Sequence, residues 1–526
     1  MKVSDRGAIV IAKESSLPRG LPKKTQSLCP ECKKILDATI MEKGGKVVME
    51  KECPEHGHFS DIVWSDVELY LKSEQFAFDG VGVENPFITN AKVCPDDCGL
   101  CNLHLSHTSL ANLDLTNRCN MKCPICFANA NAAGYVYEPS FDEVVKMMQV
   151  LRNSKPVPCP AIQFAGGEPT IYPQFVDVVR KAKELGFAQI QVATNGLMFA
   201  NDFEFLKASA EAGLNTIYLQ FDGMNDDIYM VSRARKMLEV KMKVVENVRK
   251  LENPPSIVLV PVIVKGLNEN QVGPIFQFAL ENSDVIRGIN FQPVAFTGRI
   301  NKDELAKQRY TLTDLAIDLE AQTKGQIVKS DWFPVPSVVP ISTLATAILG
   351  EPKVTFTTHP HCGLATYLFV QDKDHVIPLT HFVDVEPLFK ELFELSKKAD
   401  KSKVKLPSKL KAYSLLKKYV NEEKMPEGLD TMSFLKLLSA VMGDQSKESL
   451  SKFSWKMMFV GGMHFQDLYN YDIERVKRCA IHYVVPDGRI IPFCAYNGGP
   501  TFREQVEKKF SVPIEEWRRT RGSEHT

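Results

Sequence analysis

LDLTNRCNMKCPIC, residues 113–126, runs from the end of a β-patterned segment directly into three cysteines spaced C-x3-C-x2-C. That order places Cys119, Cys123 and Cys126 on a tight loop at the C-terminal edge of a strand. Thiolates are the usual ligands of iron–sulfur clusters, and a four-iron cluster takes four of them. Three leave one iron open to a substrate or cofactor, which cluster-based catalysis needs and simple electron transfer does not. The spacing by itself also admits a zinc site or a fully ligated cluster.

Downstream, apolar or β-branched runs at 110–116, 161–166, 188–194, 216–222, 257–264 and 288–294 alternate with segments whose apolar residues recur every three or four positions. This is the pattern of βα units and a parallel sheet. Six strands with five crossovers make a partial barrel or an open sheet. Gly166-Gly167-Glu168-Pro169 ends the second run, Thr194-Asn195-Gly196 the third and Gln220-Phe221-Asp222-Gly223 the fourth. Each could be an ordinary turn, but together they fall where ligands of parallel α/β folds collect.

C-x3-C-x2-C after the first strand, followed by GGEP, resembles the radical S-adenosylmethionine (SAM) enzymes over about residues 108–300. The resemblance implies an α/β fold built on a partial (β/α)6 barrel, with the open iron binding the amino and carboxylate groups of SAM. It also implies a cofactor-binding set of Phe127, Gly166, Gly167, Glu168, Pro169, Asn195, Gln220 and Asp222. One electron would split the sulfonium to a 5′-deoxyadenosyl radical able to take hydrogen from an unactivated carbon. A low-potential electron donor is therefore an expected partner.

The remaining cysteines also fall into groups. Cys29-Pro-Glu-Cys32 and Cys53-Pro-Glu-His56 are knuckles for one tetrahedral mononuclear zinc or iron, structural or electron-relaying. Cys94, Cys98 and Cys101 repeat the C-x3-C-x2-C spacing before the first strand and are expected to hold an auxiliary four-iron cluster, or zinc, with Cys159 as a candidate fourth ligand. Cys362, Cys479 and Cys494 could converge on another cluster completed by His361, His482 or a non-protein group, or could simply be buried. The last two bracket a hairpin signalled by Pro-Asp-Gly at 486–488. The expected divisions are a Cys3His metal module at 1–75, an auxiliary-cluster segment at 76–107, the barrel at 108–300, and a C-terminal helical, α+β auxiliary-cluster domain at 301–526.

Lys and Arg balance Asp and Glu at 64 each, so nucleic acid is not an expected partner. No export signal or membrane-spanning run is read, and the expected compartment is the cytoplasm. Residues 397–418 carry nine lysines against one aspartate and precede the apolar-rich MSFLKLLSAVM. Such a segment suits peripheral contact with the inner face of an anionic membrane, or a solvated helical face that Pro407 interrupts. With its Cys3His module, second C-x3-C-x2-C set, radical core, lysine-rich insertion and ending RCAIHYVVPDGRIIPFCAYN, the chain looks over almost all of its 526 residues like the archaeal tetraether lipid synthase group. That implies a lipid substrate, with the terminal carbons of two diether tails joined by an sp3 C–C bond. Homologues described as methylases of a reduced hydroxymethylpterin keep a pterin substrate open. A redox protein without SAM chemistry and a peptide-modifying radical enzyme also fit the cysteine pattern.

Overall fold

The computed structural model describes residues 11–401, 406–434, 457–499 and 502–521. An antiparallel four-stranded sheet comes first: β1 (Lys23–Leu28), β2 (Ile35–Lys43), β3 (Lys46–Cys53) and β4 (Gly57–Trp64). The six sequence runs then appear as β5 (Leu110–Thr116), β6 (Ala161–Gly166), β7 (Gln189–Thr194), β8 (Thr216–Gln220), β9 (Ser256–Val260) and β10 (Ile286–Pro293). The fifth run is divided at Pro261, whose missing N–H cannot serve the ladder; a short strand, Val262–Ile263, resumes beyond it. Neighbours from β5 to β10 pair in parallel.

Helices cover the outside of these strands, and their caps are local. In Phe141–Arg152, Ser140 Oγ accepts from Glu143 N (3.4 Å), while Glu143 Oε2 accepts from Ser140 N (2.8 Å). Val144, Met147, Met148 and Leu151 form its buried stripe. Leu113, Leu115, Ile162, Phe164, Val192, Ile217, Leu219 and Leu259 are fully enclosed between helices and the sheet. Burying one such side chain contributes roughly 1.5–3 kcal/mol, so the barrel is the stability centre that holds the loops in register.

The sheet is larger than six strands. β11 (Gly363–Val370) pairs antiparallel with β12 (Met457–Met463), and β12 lies parallel to β10. At the other edge β13 (Ile481–Val484) lies parallel to β5 and antiparallel to β14 (Ile490–Pro492). Eight successive strands are thus parallel within a 13-stranded sheet. Residues beyond 300 complete both edges of the barrel sheet instead of standing apart. The expected hairpin is β13–β14, with Gly488 in its turn at φ +88°. Past Pro492 the chain enters the helix Phe493–Gly498, which carries Cys494.

The N-terminal metal-binding module packs directly on the barrel. Ile40, Val47, Met49, Val63 and Trp64 share one core with the barrel strands. Arg309, 1% exposed in its side chain, bonds to Asp61 of β4 and Asp467 together. In the lysine-rich region the helices Val385–Lys401 and Leu406–Tyr419 form. Pro407 falls in the first turn of the second, where a missing N–H costs nothing, so it opens that helix and does not interrupt it. Residues 435–442 of the apolar run lie outside the described residues. No helix among the described residues is long and apolar enough to cross a membrane.

Candidate functional site

A cavity of about 900 Å³ opens at the C-terminal ends of the parallel strands, and Cys119, Cys123 and Cys126 line it. The cysteine loop is fixed by its backbone. Asn131 Nδ2 donates to Cys119 O (2.8 Å) and Met121 O (3.0 Å), Arg299 Nη1 to Cys123 O (3.0 Å), and Arg233 Nη1 to Ile125 O (2.8 Å). Cys126 and Arg299 also exchange backbone hydrogen bonds of 3.0 and 2.9 Å. Burial pushes the Cys119 and Cys123 thiols upward, so a metal must displace protons to be bound.

Gly166 and Gly167 are required by the protein itself. A Cβ on Gly166, at φ +127°, would stand 2.2 Å from Thr116 O, and one on Gly167 would stand 2.1 Å from Arg118 O. These glycines let β6 close onto the backbone entering the cysteine loop, with Gly167 N donating to Thr116 O (2.7 Å) and Glu168 N to Arg118 O (2.9 Å). Their expected role, close approach to a ligand, is thus accompanied by a structural one.

Glu168 is buried. Its Oε1 accepts from Thr170 N (3.2 Å), Thr170 Oγ1 (2.6 Å) and Thr194 Oγ1 (2.7 Å), while Oε2 accepts only from Asn195 N (2.8 Å). With one bond against three at Oε1, Oε2 keeps an acceptor position for a cationic ligand group. Asn195 and Gln220 line the same cavity, as does Phe127, 44% exposed.

Two residues of the expected cofactor set sit elsewhere. Asp222 is behind the cavity wall, its carboxylate bound to Arg233 Nε (2.6 Å) and Nη2 (3.0 Å), Ser232 Oγ (3.1 Å) and Val262 N (3.2 Å). Its effect reaches the cavity through Arg233, which does line it. Pro169 begins a buried 3-10 turn capped by Glu168 and is not among the lining residues.

Sequence reading missed Lys241, fully buried on the helix Leu238–Arg249, whose Nζ donates to Asn195 O (2.6 Å) and Gln220 Oε1 (2.9 Å). Burial lowers its pKa to about 7. It also missed an amide ladder across the barrel interior. Gln189 Nε2 donates to Gln191 Oε1 (3.0 Å), Gln191 Nε2 to Gln163 Oε1 (2.7 Å) and Gln163 Nε2 to Asn112 Oδ1 (2.7 Å). All four line the cavity. The signal was present: AIQFAG and QIQVAT each put one glutamine in the middle of a buried strand.

Two thiolates on one zinc stand at most about 4.6 Å apart, twice a Zn–S bond of about 2.3 Å. Among the described residues only Cys29, Cys32, Cys53 and His56 bring their ligand atoms within 4.8 Å of one another, as the knuckle spacing anticipated. The other three cysteine triads are not among the groups drawn that close. Replacing Cys32, the half-exposed ligand, with serine is expected to release the metal held by this group while the sheet stays docked on the barrel core. Metal content measured beside hydrogen exchange checks this: metal lost with protection of β3 retained fits the shared core, and loss of both does not.

Cys94, Cys98 and Cys101 line a small pocket with His104 and Lys477, and burial pushes Cys94 up to about 12. Cys159 is not with them; it lies in the barrel core with Sγ on Ala161 O (3.2 Å), because the residues before β6 pack inward there. Cys479 feels the charges of Cys362 and Cys494, so three distant segments do converge. Both expected histidines already have ring-nitrogen partners. His482 contacts Thr108 Oγ1 (2.9 Å) and His104 Nε2 (3.1 Å) through its two nitrogens, and His361 stacks on Tyr70 with Nε2 on the Tyr70 carbonyl (3.2 Å).

Comparison with known proteins agrees with this geometry. Residues 113–279 match the Radical SAM superfamily, and residues 21–65 match the HMPTM N-terminal zinc ribbon domain. A 7,8-dihydro-6-hydroxymethylpterin dimethyltransferase of Methanocaldococcus jannaschii is 47% identical over 502 residues, covering 95% of this chain and 97% of that one. A probable GTP 3',8-cyclase of Methanothermobacter thermautotrophicus is 28% identical over 33% of this chain and 55% of its own. The cofactors are therefore SAM and a four-iron cluster, which the three cavity-lining thiols and the spare acceptor on Glu168 fit, with a further metal in the ribbon. The expectation of tetraether lipid coupling is corrected by the full-length relative, named for methyl transfer to a pterin. With that relative aligned from ribbon to C-terminal sheet edge, this chain belongs to the radical SAM family that includes the M. jannaschii 7,8-dihydro-6-hydroxymethylpterin dimethyltransferase.

Proposed function

We propose that the protein is a radical SAM methyltransferase acting on a reduced 6-hydroxymethylpterin. The observation that carries this reading is similarity along 95% of the chain to a protein of that name. The cavity adds support. A pterin is a flat heterocycle edged with hydrogen-bond donors and acceptors, and primary amides offer both. Asn112, Gln163 and Gln191 stand in register across β5, β6 and β7 in the same cavity as the cysteines.

Cys119, Cys123 and Cys126 hold the cluster in this reading, and Glu168, Asn195 and Gln220 hold SAM. Bound together, cluster and SAM supply a radical able to activate an inert C–H bond. The chain's contribution is to fix the loop through Arg233, Arg299 and Asn131, orient the ligands, and keep the amide-lined interior away from bulk water. The triads Cys94/Cys98/Cys101 and Cys362/Cys479/Cys494 hold auxiliary iron–sulfur clusters, and a low-potential reductant is the electron partner.

Reconstituted protein, incubated anaerobically with SAM, a strong reductant and 7,8-dihydro-6-hydroxymethylpterin, is expected to yield methylated pterin together with 5′-deoxyadenosine by mass spectrometry. Gln163→Leu is expected to depress pterin methylation more than SAM cleavage. Deoxyadenosine formed with the pterin unchanged would overturn the substrate assignment.

A further inference from the structure

Burying an arginine requires compensation of its charge, and the described residues show how this chain does it. Arg233 pairs with Asp222, Arg309 with Asp61 and Asp467, and Arg478 with Asp79 and Glu474. Arg475 is equally buried, at 4% exposed, yet among the described residues it makes no ion pair of 4.0 Å or less, and the carboxylate it interacts with, Asp472, acts from farther off. Its Nη2 donates to His464 O (2.6 Å), whose own N–H donates to Cys362 O (3.1 Å), which sets the guanidinium beside the Cys362 segment; Nε has no partner among the described residues.

A second orphan lies four residues earlier in the chain. Tyr471 is fully buried with its hydroxyl unpartnered, enclosed so closely that a Cβ on Gly499 would stand 2.8 Å from it. It packs in one cluster with Cys98, Cys94, Cys479 and Cys494, and it feels the charges of all four. An unsatisfied buried donor is destabilising unless something pairs with it. Both donors lie near the cysteines of the C-terminal triad, Arg475 by Cys362 and Tyr471 by Cys479 and Cys494.

We propose that Arg475 and Tyr471 are positioning residues for the auxiliary clusters: Arg475 places its charge and free N–H against the Cys362/Cys479/Cys494 cluster, and Tyr471 donates its hydroxyl between that cluster and the Cys94/Cys98/Cys101 cluster. This rests on the reading that both triads hold iron–sulfur clusters. Thiolate-ligated clusters are anionic, and donors aimed at their sulfurs stabilise the reduced state. Arg475 therefore raises the potential of one cluster, and Tyr471 raises those of both, coupling them through a shared wall.

Potentiometric titration followed by electron paramagnetic resonance tests this in the full-length reconstituted chain. Arg475→Met is expected to lower the potential of the C-terminal cluster alone, and Arg475→Lys to restore most of it. Tyr471→Phe, which leaves the packing nearly unchanged, is expected to lower both auxiliary potentials by smaller amounts. The cluster at Cys119 should not move in either variant. Auxiliary clusters present with unmoved potentials would overturn the assignment of the two residues. Iron content that is the same with and without Cys494→Ser would overturn the cluster reading beneath it, so the two failures are distinguishable.

Discussion

Replacing Cys123 with alanine is expected to reduce reductive cleavage of SAM to the level seen without protein, while the fold and thermal stability stay near those of the parent. The catalytic loss follows from ligand count: two thiolates cannot hold a site-differentiated four-iron cluster. The structural tolerance follows from how the loop is held. Arg299 reaches the Cys123 carbonyl, Arg233 the Ile125 carbonyl, and Asn131 the carbonyls of Cys119 and Met121, and none of these bonds uses a cysteine side chain. Deoxyadenosine by chromatography and melting by circular dichroism read the two halves separately. Unimpaired cleavage in the variant would remove Cys123 from the catalytic cluster.

Arg309→Met is expected to give the largest loss of stability of any substitution away from the metals, about 3–5 kcal/mol. Arg309 Nη1 bonds Asp467 Oδ2 (2.8 Å) and Nη2 bonds Asp467 Oδ1 (3.1 Å), and the Arg309 guanidinium also holds Asp61. Both carboxylates are buried, and losing the arginine strands them together. Lys51, the nearby cation, donates to Ser27 Oγ (2.9 Å) and Leu468 O (2.6 Å) instead. Burial already holds the Asp61 carboxyl above its ordinary value; without Arg309 it rises further, and Asp467, which Arg309 now holds low, rises above its unfolded value as well. Stability is then retained at low pH and lost as pH climbs through the raised values, so the deficit grows from about pH 4 upward. Urea melts at several pH values check this, and a deficit independent of pH would place the loss in packing alone.

How much of this was legible in the sequence depends on the range of the interactions. β5 to β10 were readable because each is a local apolar run followed by a helix of period 3.6, and the ligand loops follow them by simple adjacency. β12, MMFVGGM, was not, since it contains two glycines and returns to the barrel only after a long helical insertion; its pairing with β10 is visible only in three dimensions. The hairpin β13–β14 was readable from Pro-Asp-Gly, but its parallel contact with β5 was not. Among site residues, the cysteine motifs and the Glu168 loop announced themselves. Asp222 was misplaced because a polar residue at a strand end looks the same from sequence whether it faces the ligand or an arginine behind the wall. Lys241 was hidden for the converse reason, as one lysine on a helix whose surface is rich in them.

The central claim is that the Cys119 loop carries a cluster with one iron open to SAM. Electron paramagnetic resonance of the reduced, reconstituted protein, recorded before and after SAM is added, tests it most directly. The account predicts that SAM alters the signal of one cluster, and that Cys123→Ala removes that signal and the response together. Spectra unchanged by saturating SAM, with all cysteines intact and the iron fully loaded, would contradict it.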